Sequence, residues 1–140
     1  MVQINAQHVS ARIDEWVDRL NELYDKIEDW MQTIPHDRTE RDTLRQTIEP
    51  FMRQFQIPPR DVPTYTIFRG KKRVAFVPAA LWVTGTNGRV NITTNEKQHI
   101  LVDRGDTGNG SKWELVVDDF KRLLVPFTKT QLTRLLAEGE

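Results

Sequence analysis

Residues 64–103 carry four β-type runs separated by turn signals, and this stretch constrains the fold more than any other. Within residues 65–76, Gly70-Lys71 reads as a two-residue turn of the type that wants glycine first. That turn sets Ile67 opposite Val74 and Tyr65 opposite Phe76, so one face of the hairpin is apolar. Asn87-Gly88 is the strongest short-range hairpin signal in the chain, because both positions of such a turn need positive φ. It predicts a hairpin over residues 81–92 with Val83 opposite Ile92 and Trp82 facing Thr93 on the other side. A further turn over residues 94–97 returns the chain along residues 98–103, where Leu101 joins Val83, Val90 and Ile92, and Ile100 and Val102 share the face of Trp82. Apolar groups on both faces predict a sheet covered at least in part on each side. After a loop at 104–111 rich in Gly and small polar residues, the alternation of Trp113, Leu115 and Val117 predicts a fifth strand.

Ahead of the sheet, Ile13, Trp16, Val17, Leu20, Leu23, Tyr24, Ile27, Trp30, Met31 and Ile34 recur at helical spacing, with Ser10 as a candidate cap. With Ile13 at heptad position a, positions d and e are also apolar. Such a wide stripe suits a bundle or a helix lying on a sheet better than a two-stranded coiled coil. Pro35 ends this helix, and Asp37-Arg38-Thr39-Glu40 reads as a capping box for a second one, continued by Leu44, Ile48, Phe51, Met52 and Phe55 and kinked at Pro50. The expectation is an antiparallel helical hairpin over 11–56, with helices at 11–34 and 38–56, and a Pro-rich connection at 57–63. The sheet follows at 64–117, and a helix at 128–138 starts from a second capping box, Thr128-Lys129-Thr130-Gln131. Segment 118–125 is ambiguous between a short helix and an irregular connection. The predicted class is α+β, one domain over residues 1–140: an N-terminal antiparallel helical hairpin, a mainly antiparallel five-stranded β-meander and a short C-terminal helix.

Composition narrows function mainly by exclusion. The chain has no cysteine, which removes disulfides, thiolate catalysis and Cys-based zinc sites. Its two serines, Ser10 and Ser111, fall in an expected cap and an expected loop, and no nucleophile-elbow or phosphate-loop pattern occurs. His99 with Asp103 and Asp106 is the best catalytic combination. Strand parity puts His99 and Asp103 on one face but too far apart for direct contact, so a structural histidine is expected. Taking Asp103 as the first position of a calcium loop places Gly108 and Glu114 correctly, yet Gly105 and Thr107 stand where side-chain oxygen ligands are wanted. An ordinary turn-rich loop is the expectation there, and the adhesion-type tripeptide Arg104-Gly105-Asp106 is read as a chance occurrence. No catalytic residue, metal, cofactor or small-molecule substrate is predicted.

Net charge is zero, but residues 11–30 hold seven acidic against three basic side chains, and residues 38–73 hold nine basic against four acidic ones. Two arrangements fit: the segments lie against each other, or the protein shows two differently charged surfaces. Arg69, Lys71, Lys72 and Arg73 cluster at the first hairpin tip near Tyr65, Phe68 and Phe76, which suits phosphate contact combined with base stacking. The same charges equally suit a solvated tip that discourages edge aggregation. Trp16, Leu20, Tyr24, Ile27 and Trp30 are of types enriched at binding hot spots, and the apolar surface of the first helix exceeds that of the second. The reading is a small non-catalytic interaction or adaptor protein that binds another protein or itself, as a homodimer through the N-terminal helix. The alternative is a nucleic-acid-binding accessory protein using tip 69–73. With no apolar run near the roughly 18 residues of a membrane span and no signal-type N-terminus, no membrane partner and a cytoplasmic location are expected.

Overall fold

A computed structural model describes residues 5–47, 49–81, 86–105, 110–118 and 123–138. Helix α1 (Ala6–Met31) lies on one face of a seven-stranded antiparallel sheet whose strands follow one another in chain order. These are β1 (Arg38–Thr47), β2 (Arg60–Arg69), β3 (Lys72–Ala80), β4 (Arg89–Thr93), β5 (Gln98–Asp103), β6 (Trp113–Asp118) and β7 (Leu123–Pro126). A short helix α2 (Pro50–Gln54) interrupts the β1–β2 connection, and α3 (Lys129–Ala137) follows β7.

Helix α1 forms where the apolar period demanded it, although it starts earlier and stops sooner than expected. Asn5, not Ser10, caps it: the Asn5 side chain accepts a hydrogen bond from the His8 backbone N–H at 2.8 Å. Val9, Ile13, Trp16, Leu20, Leu23, Tyr24, Ile27 and Met31 are buried along one stripe. Val62, Tyr65, Ile67, Val74, Phe76, Val90, Ile92, Leu101, Trp113 and Leu115 meet them from the sheet. Each fully buried side chain of this size contributes about 1.5–3 kcal/mol. Aromatic pairs join the two layers, with ring centroids of Trp16 and Trp113 6.1 Å apart and those of Tyr24 and Tyr65 5.5 Å apart.

The helical hairpin expected over 11–56 does not form. Residues 38–47 are strand β1, with Arg38 opposite Phe68 and Thr47 opposite Arg60. Leu44 is the one large apolar side chain in that segment, so a helix there would bury no stripe, whereas a strand satisfies the free backbone edge of β2. Asp37 serves this pairing instead of a helix cap. Its carboxylate accepts the Gly70 N–H at 2.7 Å, and its own N–H donates to Phe68 O at 2.8 Å. Pro50 opens α2, where its missing N–H costs nothing, rather than kinking a long helix. Buried Glu49 stands before it and accepts the Leu81 N–H on both carboxylate oxygens, at 2.9 and 3.1 Å.

With β1 on one edge and β7 on the other, the sheet has seven strands rather than five. The first hairpin has the expected register, Ile67 opposite Val74 and Tyr65 opposite Phe76, and Gly70 carries a φ of 59°. The second differs. Ile92 lies opposite Phe76 and Val90 opposite Pro78, because the nine residues of β3 offer a longer ladder than a tight turn at Asn87-Gly88. The expected partner Val83 and its neighbour Trp82 lie outside the described residues. Asn87 and Gly88 instead anchor to β5: Asn87 N–H donates to Asp103 O at 2.6 Å and Asp103 N–H to Gly88 O at 3.0 Å. An irregularity between Val116 and Asp118 breaks the alternation expected of Val117, which is 55% exposed. Thr128 precedes α3 but makes no side-chain cap bond, so the second capping box is not formed either.

The acidic helix and the basic segment lie against each other. Arg41 Nη1 reaches Asp25 at 2.6 Å and Glu28 at 3.2 Å, and Arg60 Nη1 reaches Asp14 at 2.7 Å. No described helix is long and apolar enough to cross a membrane.

Both tyrosines of the chain are in this core, which makes alkaline titration informative. Burial pushes the Tyr24 phenol far above the ordinary range, opposed by the nearby Arg41 guanidinium, and its hydroxyl donates to Pro63 O at 2.8 Å. Burial also raises Tyr65. Because both folded-state values are raised, their contribution to stability is complete below the unfolded pKa of about 10 and is lost as pH climbs past it. Tyrosinate absorbance is therefore expected to rise only in step with loss of circular dichroism. A rise with the spectrum of the folded state intact would contradict this packing.

Candidate functional site

Because β3 and β4 are neighbours, the β2–β3 turn and the β4–β5 turn stand side by side at one end of the sheet. Asn95 locks them together: its Nδ2 donates to Lys71 O at 3.0 Å and its Oδ1 accepts the Arg73 N–H at 2.7 Å. Thr94 closes its own turn, with its N–H donating to Lys97 O at 2.8 Å and its Oγ1 accepting the Lys97 N–H at 3.0 Å. Glu138, just past α3, closes a third side. Its backbone carbonyl accepts from Lys72 Nζ, and its carboxylate lies 3.0 Å from His99 Nε2 and 4.0 Å from Lys97 Nζ.

Between these elements is a cleft of about 320 Å3 lined by Arg69, Lys71 and Lys72 together with Asn95, Glu96 and Glu138. Strand parity divides the basic tip. Arg69 pairs with Lys72 on the helix-bearing side, whereas Arg73 pairs with Phe68 on the outer side. There the Arg38 guanidinium lies 3.9 Å from the centre of the Phe68 ring. A second hollow of about 330 Å3 on that side is bordered by Arg73, Ala75, Val77 and Thr93. Tyr65 and Phe76, expected near the tip as stacking groups, are fully buried and unavailable to a base.

At the opposite end of β5, Asp103 is fully buried and holds the base of the following loop. Its carboxylate accepts Arg19 Nη1 at 2.5 Å, Gly105 N–H at 2.9 Å and Lys112 N–H at 2.8 Å. Arg19 also donates to Asn87 O at 2.8 Å, and its Nε lies 3.4 Å from Glu15. Two turns earlier on α1, Arg12 Nη2 donates to Asn87 Oδ1 at 2.5 Å. With both Asp103 oxygens engaged, the cluster is a clamp between helix and loop rather than an acid–base centre. His99 turns to Glu138 and Asp103 to Arg19, so the two do not meet. Asp103 and Glu114 occupy opposite faces of the sheet, since Asp103 pairs with Trp113 and Glu114 with Val102. They cannot share one cation. Positions 106–109 of the calcium reading, including Asp106, lie outside the described residues. Among the described residues no three His, Asp or Glu side chains converge as metal ligands.

The stripe expected to bind a partner is placed inside the molecule. Trp16, Leu20, Tyr24 and Ile27 are at most 1% exposed beneath the sheet, and half-buried Trp30 packs edge-on to Phe127 at 5.6 Å. The apolar excess of the first helix, measured against a second helix that does not exist, is taken up by strands. Lys97 and Glu138 were not picked out from the sequence, and His99 was weighed only with Asp103 and Asp106 and read as structural. The only local signal of Lys97 and Glu138 was a turn and a helix end.

Comparison of the chain with protein-family models, with curated proteins and with solved structures finds no match.

Proposed function

We propose that the protein is a non-catalytic binding protein whose cleft at the β2–β3 and β4–β5 turns takes the phosphate backbone of a nucleic acid. The observation that carries this reading is the convergence of Arg69, Lys71 and Lys72 around an open cleft against two carboxylates, Glu96 and Glu138, with Lys97 4.0 Å from the Glu138 carboxylate. Asn95 holds the two turns in register, so the cations are positioned before a ligand arrives. Phosphates gain from such an array by releasing condensed counterions. With zero net charge there is no long-range steering, so affinity depends on this local field and is strongly salt-dependent.

Fluorescence anisotropy with a labelled single-stranded oligonucleotide tests this. The wild type is expected to bind at low salt with log K falling linearly in log salt. Lys71→Glu combined with Lys72→Glu is expected to weaken binding by at least about tenfold, while Lys26→Glu on the far surface of α1 changes little. A double variant that binds like the wild type would overturn the assignment of the cleft. A protein partner is the second reading, favoured by Val117 and Leu123, which are 55% and 52% exposed on β6 and β7. A wild type that ignores polynucleotide at every salt concentration is the result that favours it.

A further inference from the structure

We infer that Lys72, Lys97 and His99 form a phosphate subsite at the Glu138 wall of the basic cleft, and that Glu138 fills it as the chain's own competing anion. The inference rests on the nucleic-acid reading above and adds which residues hold the phosphate and what regulates access to them.

Three donors from separate parts of the sheet meet one residue. Lys72 comes from β3, Lys97 from the β4–β5 turn and His99 from the start of β5. Lys72 Nζ binds the Glu138 carbonyl, while His99 Nε2 at 3.0 Å and Lys97 Nζ at 4.0 Å face its two carboxylate oxygens. A phosphodiester presents the same chemistry to these donors, two anionic oxygens on one centre, and adds further phosphates that Arg69 and Lys71 can reach along the cleft.

Glu138 tethers the end of α3 to the sheet, at some electrostatic cost. It stands at the C-terminal end of α3, where the helix dipole disfavours a carboxylate. Its φ of −63° and ψ of 129° put it outside the helical conformation, and rotation of its side chain alone removes the carboxylate while its N–H stays on Leu135 O. Leu132, Leu135 and Leu136 keep α3 docked in the core whether or not Glu138 stays in the cleft. Both Glu138 and His99 side chains are 21% exposed, which leaves an incoming phosphate access to the pair.

The test compares Glu138→Gln with Glu96→Gln, which removes the same charge from another wall of the cleft, using labelled oligothymidylate over a salt series. Glu138→Gln is expected to bind about two- to fivefold more tightly, the range for release of a partly exposed ion pair. Its salt slope is expected to steepen by about 0.7, the increment for one more neutralised phosphate on a single strand. Glu96→Gln is expected to leave the slope at the wild-type value. Adding His99→Gln to Glu138→Gln is expected to remove the gain. If the wild type binds but Glu138→Gln matches it, or Glu96→Gln reproduces the whole effect, the subsite is wrong and the proposed function stands. If neither the wild type nor Glu138→Gln binds at low salt, both fall together.

Discussion

Gly88→Ala is expected to destabilise the protein by about 3–5 kcal/mol, combining overpacking of a core with a strained backbone. A Cβ at this position would sit 2.5 Å from Cη2 and 2.9 Å from Cε3 of Trp16, inside the indole ring's contact surface. The φ of 134° is one that L side chains rarely adopt, so strain adds to the clash. Trp16 cannot yield, being 1% exposed, 6.1 Å from the Trp113 ring and 5.1 Å from the Arg19 guanidinium. Urea unfolding followed by tryptophan fluorescence measures the loss. Trp16→Leu is expected to cost stability alone yet less in the Gly88→Ala background, a coupling that a double-mutant cycle exposes. A Gly88→Ala protein within about 1 kcal/mol of wild type would show that the glycine is not held against the indole.

Removal of the Asp103 carboxylate is the second large effect. Asp103→Ala leaves the buried Arg19 side chain with only the part-exposed Glu15 as an ionic partner and frees the backbone N–H groups of Gly105 and Lys112. Breaking a buried pair from one side costs about 3–5 kcal/mol. Arg19→Met is expected to be similarly severe, because it strands a fully buried carboxylate. Arg19→Met combined with Asp103→Leu is expected to recover much of the ionic part, since well-packed apolar groups replace a buried pair at little net cost. The loss that persists in the double variant collects the two backbone N–H groups, the Asn87 carbonyl left without its Arg19 donor and the Arg19–Glu15 contact. The cycle is read from equilibrium denaturation midpoints with their slopes checked for constancy. Additive single-variant losses would show that Arg19 and Asp103 act independently, contrary to the geometry.

Neither substitution touches the cleft, so stability and binding can be perturbed separately. The Arg19–Asp103 clamp and the Glu138–His99 contact involve opposite ends of β5.

Features legible in the sequence were those whose partners are near in the chain or repeat regularly along it. The Gly70-Lys71 turn carries its own register, because two residues and a glycine leave few other ways to pair Tyr65 with Phe76. The stripe from Ile13 to Met31 specifies a helix with one buried side whatever covers it. The opposed charges of residues 11–30 and 38–73 correctly offered contact as one of two arrangements, and Arg41 and Arg60 realise it. Of the candidate cleft, Arg69, Lys71 and Lys72 were visible as a local cluster. His99 and Glu138, separated by 39 positions, were not.

Sequence alone therefore determined the long amphipathic helix, the first hairpin and the cations at its tip, all products of short-range spacing and turn sterics. Tertiary structure decided what lies against them. Residues 38–47 carry a weak helical signal and become a strand because β2 has an unsatisfied edge of backbone donors and acceptors. Trp16 and Tyr24 of α1 are core rather than surface, with Trp30 half-buried at the margin, because a seven-stranded sheet is wide enough to cover most of the stripe. The basic tip becomes one wall of a cleft only because α3 docks through its leucines and brings Glu138 beside Lys72, Lys97 and His99. Hydrogen-bond satisfaction and apolar burial are settled over the whole molecule, and no local window of the chain contains the groups that settle them.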